Sequence, residues 1–111
     1  MSKVANEYRR LLELRKAYHP EMDIDYDNDP VIQGMVKILS ANVDDTITFL
    51  SECTGDEFVW MSEIFAEVAE ATRSQAFVDA LRDTMKKYPK ECEEYHIESF
   101  IDEAREIVQR G

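Results

Sequence analysis

The chain has little of the material from which reactive sites are built. Its three glycines, at 34, 55 and 111, stand in no GxGxxG or GxxxxGK context, so it has no glycine-rich loop to cradle phosphates. Its two histidines, His19 and His96, lie far apart in the sequence and lack the carboxylate or cysteine spacing of a zinc site. Each adjoins an expected helix boundary, where capping or plain exposure explains it. The two cysteines, Cys53 and Cys92, form no CxxC pair and read as small apolar residues that are partly buried. Met1-Ser2-Lys3 is followed by no apolar run long enough for a signal peptide or a membrane span, so a reducing cytosol is the expected location. No residue is nominated as a nucleophile. The expectation is a protein that binds rather than reacts, with no enzymatic activity, no cofactor and no metal.

Charge is what the chain has in excess, and its placement matters more than its total. Over 111 residues the formal net charge is -11. Residues 1–18 hold five basic groups (Lys3, Arg9, Arg10, Arg15, Lys16) against two acids, a local balance of +3, while the remainder holds eight basic and twenty-two acidic groups, a balance of -14. Such a body repels nucleic-acid phosphates and anionic lipid and attracts basic proteins, over a reach of about 8 Å at physiological salt. The expected partner is therefore a protein, with no nucleic acid and no membrane involved.

Apolar spacing points to helices nearly throughout. Val4, Tyr8, Leu11, Leu12 and Tyr18 make residues 2–18 an amphipathic helix with its arginines off the apolar stripe. Asp29-Pro30 is a cap followed by a first-turn proline, and Val31, Met35, Leu39, Val43, Ile47 and Leu50 keep helical spacing to Cys53. Asn42, followed by Asp44 and Asp45, is a competent cap, which leaves open whether 30–53 is one helix or two. Thr54-Gly55-Asp56 reads as a stop and restart, with Gly55 in a left-handed residue and Asp56 capping a helix over 56–72. Ser74 caps the next helix, which Tyr88-Pro89 ends, and a last one spans about 96–109. A chain of this size buries about two-thirds of its unfolded surface and folds without staples. The fold class expected is all-α, a single domain built as a compact bundle of five or six antiparallel helices, monomeric or weakly dimeric. A short HEAT-like solenoid of helical hairpins, 30–72 and 74–109, is the second choice.

Two segments are candidates for binding. Asp23-Ile24-Asp25-Tyr26-Asp27-Asn28-Asp29 begins like a calcium loop, with oxygen ligands at alternate positions. Counted from Asp23, however, the sixth position is Asn28 where glycine is wanted and the twelfth is Gly34 where glutamate should close the site; counted from Asp25 these are Pro30 and Val36. An acidic loop remains, in which Asp23, Asp25 and Asp27 face a partner's lysines and arginines with Tyr26 as an aromatic contact. On the helix over 56–72, Phe58, Met61, Ile64, Phe65 and Val68 centre on one direction, while Asp56, Glu63, Glu67 and Glu70 cluster nearly opposite. Trp60 falls at the edge of the acidic stripe. One reading folds its indole over a neighbouring helix beside a solvated face; the other makes Trp60, Glu63, Glu67 and Glu70 a docking surface for a basic protein.

The words Phe49-Leu50-Ser51-Glu52-Cys53, Glu57-Phe58-Val59-Trp60-Met61-Ser62-Glu63, Thr72-Arg73-Ser74-Gln75-Ala76-Phe77, Lys87-Tyr88-Pro89 and Ile97-Glu98-Ser99-Phe100-Ile101 resemble small acidic all-helical bacterial proteins of the toxin-immunity type, which neutralise polymorphic or contact-dependent toxins. The resemblance covers over half the chain and leaves out the first helix and the Asp-rich loop. It implies a cytosolic immunity protein that binds a cognate basic toxin domain, a nuclease first of all, through acidic surface residues. It lends no single residue a role, because the motifs describe a helical core. The alternative is a helical adaptor that holds a peptide or helix in an apolar groove.

Overall fold

Side-chain caps set four helix starts, those of Pro30–Ala41, Val43–Glu52, Gly55–Met61 and Gln75–Met85. A computed structural model describes residues 3–110; Met1, Ser2 and Gly111 lie outside them. Helix α1 runs Ala5–Lys16, α2 Pro30–Ala41, α3 Val43–Glu52, α4 Gly55–Met61, α5 Phe65–Thr72, α6 Gln75–Met85, α7 Pro89–Glu94 and α8 Ile97–Arg110, with a 3₁₀ turn at Ser62–Ile64. The Asp29 side chain accepts the amides of Val31 and Ile32 and starts α2. At Asn42 the backbone swings out to φ -149, and its side chain accepts the Asp45 amide. The Thr46 hydroxyl meanwhile donates to the Leu39 carbonyl at 2.7 Å. Both free ends at the junction are thus satisfied, and 30–53 is two helices. Ser74 caps α6 through the Phe77 amide.

Two expected boundaries are corrected. Gly55 is not left-handed, and no glycine among the described residues has positive φ. The cap of α4 is Thr54 rather than Asp56: its hydroxyl accepts the Glu57 amide while the Glu57 carboxylate accepts the Thr54 amide, a reciprocal capping box. The left-handed residue comes later, at Arg73 with φ 51, where α5 ends. The helix expected over 56–72 is interrupted at Ser62–Ile64, and Pro89, read as a stop, also opens α7 as its first residue. Counting α4, the 3₁₀ turn and α5 as one interrupted rod, α7 is the element added to the expected bundle.

Helix packing closes a ring rather than stacking hairpins in a row. Helix α2 packs on α5, α5 on α8, α8 on α6, α6 on α3, and α3 back on α2; α1 lies against α2, and α7 fits between α4 and α8. The extents are 32 × 30 × 29 Å, so the architecture is an all-α bundle. One core runs through it. Tyr8, Leu12, Ile32, Met35, Leu39, Phe49, Phe58, Phe65, Phe77, Leu81, Ile97 and Ile101 are all buried in it. All five apolar residues of the 56–72 stripe are buried. Tyr8 meets Phe49 edge-on at 5.3 Å between centroids. Cys53 and Cys92 are buried and unbridged, and burial pushes the Cys53 thiol up to about 11, away from reactive thiolate chemistry. No helix among the described residues is long and apolar enough to cross a membrane.

Candidate acidic groove

The basic first helix and the acidic fourth find each other across the fold. Arg9 donates to both carboxylate oxygens of Glu57, at 2.6 and 3.2 Å. One turn and a half further on, Arg15 donates through Nε and Nη2 to Glu63 Oε1, at 3.1 and 2.9 Å, and Lys16 donates to Asp56 at 2.9 Å. The last two cations also lie over the Trp60 indole, Arg15 Cζ at 5.2 Å and Lys16 Nζ at 5.9 Å from its centroid. Trp60 is half-buried and packs against the core edge. It thus leans on the core and is covered by the cations of α1, the neighbouring helix.

Glu63 is correspondingly engaged inside the molecule. Besides Arg15, its Oε1 accepts the Tyr26 hydroxyl at 2.9 Å, which ties the Asp-rich loop to the end of α4. Among the described residues its Oε2 is buried without a hydrogen-bond partner, as is the Tyr8 hydroxyl. Burial first, and then the Glu63 and Glu57 charges, push the Tyr8 phenol far above its ordinary range, so it stays neutral.

Within the loop, the aspartates separate into different roles. Asp25 organises the turn: its carboxylate accepts the Asp27 amide at 3.1 Å and the Asn28 side-chain amide at 2.9 Å. Gln33 of α2 holds the Tyr26 carbonyl at 2.6 Å, and the Tyr18 hydroxyl donates to the Asp29 carboxylate at 2.7 Å. Asp23 is exposed and lines no groove. Among the described residues no group of three or more His, Cys, Asp or Glu is placed to hold a metal ion.

A groove passes through the remaining candidates. One end is a cleft of about 810 Å³ between α4 and the α7–α8 corner, with Asp56, Val59, Trp60 and Glu63 on one wall and Glu91, Glu94, Tyr95 and Phe100 on the other. Ser62, Glu63 and Phe100 also line a middle section of about 260 Å³ with Tyr26, Ala66, Glu67 and Glu103. Ala66, Glu67 and Glu103 continue into a third section of about 560 Å³, bounded by Asp27, Gln33, Val36, Glu70 and Ile107. Eight carboxylates thus face the groove against one basic side chain, Arg15. Glu63, Asp56 and Glu70 have ion-pair partners in Arg15, Lys16 and Arg73. Asp27, Glu67, Glu91, Glu94 and Glu103 have none among the described residues. Burial first, then the proximity of Glu103, Asp27 and Glu63, holds the Glu67 carboxyl above its ordinary range.

The fold therefore unites six of the eight sequence candidates: Tyr26, Asp27, Trp60, Glu63, Glu67 and Glu70 share one groove, while Asp23 and Asp25 stand outside it. Sequence reasoning missed Glu91, Glu94, Tyr95, Phe100 and Glu103. Tyr95 and Phe100 are the signal available in hindsight, since both are large aromatics left 52% and 38% exposed beside acidic residues. No protein-family model, curated protein or solved structure matches the chain.

Proposed function

We propose that the protein is an inhibitory binding partner of a basic protein, of the cytosolic toxin-immunity type that its helical words resemble, with a basic toxin domain as its cognate target and a nuclease the first candidate. The groove carries this reading: eight carboxylates line a partly apolar furrow, and five of them have no ion-pair partner among the described residues. An inhibitor of this kind places carboxylates where its target would hold phosphates. Their field speeds encounter and disfavours acidic partners. Glu67 supports the reading further, because a carboxyl held above its ordinary range by burial and acidic neighbours is relieved when a partner supplies a cation.

Co-expression with the basic domain encoded by a neighbouring reading frame tests this. Protection of the host should be present with the parent chain and lost when Asp27, Glu67 and Glu70 are replaced together by their amides, and the association rate should fall steeply as salt rises. Absence of both protection and binding would end the proposal. The adaptor alternative draws on Val59, Trp60, Tyr95 and Phe100 in the widest section, and it predicts an affinity that changes little with ionic strength.

A further inference from the structure

The widest section of the groove differs from the rest. Its walls bring Val59 and Trp60 of α4 opposite Tyr95 and Phe100, and the last two are among the few large apolar side chains left exposed. Carboxylates flank this apolar strip on both sides, Asp56 from α4 and Glu91 and Glu94 from α7. Glu91 and Glu94 are three residues apart on one helix, so they face the same way and suit cations spaced one helical turn apart. Gly55 suits the arrangement: a Cβ there would lie 2.6 Å from Glu91 Oε2 and 3.0 Å from the Tyr88 ring, so a larger residue would make the Glu91 carboxylate swing away.

We infer that the cleft between α4 and the α7–α8 corner seats a basic amphipathic helix of the partner protein, its apolar stripe against Trp60, Tyr95 and Phe100 and its lysines and arginines against Asp56, Glu91 and Glu94. This rests on the reading of the groove as a surface for a basic protein and names the partner element and its seat. Size fits: a helical turn about 10 Å wide and 5.4 Å long occupies roughly 400 Å³, and the cleft of about 810 Å³ takes two such turns. Charge fits as well. A second copy of this chain brings the same -11 and is repelled, as is any nucleic acid, whereas a strip of apolar surface between two acidic rims is the complement of a helix with basic flanks. The chain's own α1 shows the chemistry at work, since it already presents a guanidinium and an ammonium to Trp60.

The test uses a labelled Leu/Lys/Ala peptide of about eighteen residues, long enough to hold a helix on a surface, and a peptide of the same composition in scrambled order. Trp60 is the only tryptophan, so its emission reports occupancy while anisotropy of the label gives the affinity. The amphipathic peptide should shift Trp60 emission and bind about tenfold or more tighter than the scrambled one. Replacing exposed Tyr95 and Phe100 by Ser should abolish that preference, with circular dichroism confirming the fold. Glu91→Gln with Glu94→Gln should weaken binding and flatten its salt dependence, and Glu67→Gln with Glu70→Gln should leave it within about twofold. Equal binding of the two peptides, lost with Glu67→Gln and Glu70→Gln but without a change in Trp60 emission, would overturn the helix seat and leave the acidic groove as the docking surface. Failure of both peptides to bind at low salt would overturn both.

Discussion

Trp60→Ala is the substitution whose cost the structure bounds most tightly. A tryptophan wholly inside the core would lose about 3 to 5 kcal/mol on truncation, because a cavity remains behind. Trp60 is only half-buried and opens onto the cleft, so truncation widens a furrow that solvent already enters. If about 150 Å² of indole is removed from water, area bookkeeping at roughly 25 cal/mol per Å² gives an upper figure of about 4 kcal/mol. Residual alanine contacts and a partly compact unfolded chain bring this to about 2 to 3 kcal/mol. Part of it belongs to the cations above the ring. Pairing Trp60→Ala with Arg15→Met, which keeps the stem and removes the charge, should reveal a coupling of about 0.5 to 1 kcal/mol. Urea melts followed by far-ultraviolet circular dichroism measure both, since the variant has no tryptophan emission. A loss of about 4 kcal/mol or more would put the indole in the core, and zero coupling would refute the Arg15 stacking contact on which the picture of α1 covering Trp60 depends.

Three further outcomes follow from the site's electrostatics. Glu67 has a raised folded pKa, so the native state binds its proton more readily than the unfolded chain and the charged form is a cost at neutral pH; Glu67→Gln should raise the urea midpoint of the free protein while slowing association with the proposed basic partner. Glu57 and Asp29 behave in the opposite sense. Burial works against their charge, yet Arg9 and the Thr54 amide for Glu57, and the Ile32 amide and the Tyr18 hydroxyl for Asp29, outweigh it and lower both pKa values. Their stabilisation is present above the unfolded carboxyl range of about 4 and is lost as pH falls through their folded values, so Glu57→Gln should flatten the acid limb of a urea-midpoint profile. Tyr8→Phe removes a buried hydroxyl that has no hydrogen-bond partner and should leave stability within about 1 kcal/mol of the parent or raise it, as thermal melts would show.

The fold was legible wherever the information is local. Apolar spacing marks the buried faces, and Asp29, Asn42 and Ser74 cap the helices they precede because a short side chain reaching an amide two or three residues on depends on nothing distant. Thr54-Gly55-Asp56-Glu57 was legible too, as a Thr-x-x-Glu capping box; the glycine between them drew the reading toward a left-handed residue that the chain in fact places at Arg73. The 3₁₀ turn at Ser62–Ile64 has no such local mark. It carries Glu63, the partner of Arg15, and joins α4 to α5, which packs against both α2 and α8, so tertiary contacts rather than a local cap accompany it.

The candidate surface was half legible for the same reason. The acidic stripe and Trp60 could be placed on one helix by angle alone, but what stands opposite them could not. Arg15 and Lys16 reach Glu63 and Asp56 across separations of 48 and 40 residues, and Glu91 and Glu94 arrive on a helix, with Tyr95 just past its end, that Pro89 concealed by looking like an ending. The consequence alters the reading of charge in this chain. Three of the four basic residues of the first helix are engaged inside the molecule, Arg9, Arg15 and Lys16 pairing with Glu57, Glu63 and Asp56. Among the described residues, the groove carboxylates left without an ion pair are Asp27 in the loop and Glu67, Glu91, Glu94 and Glu103 on α5, α7 and α8. The proposed basic partner would therefore be attracted most strongly to the side of the groove away from α1, and would share Trp60 with the chain's own Arg15 and Lys16.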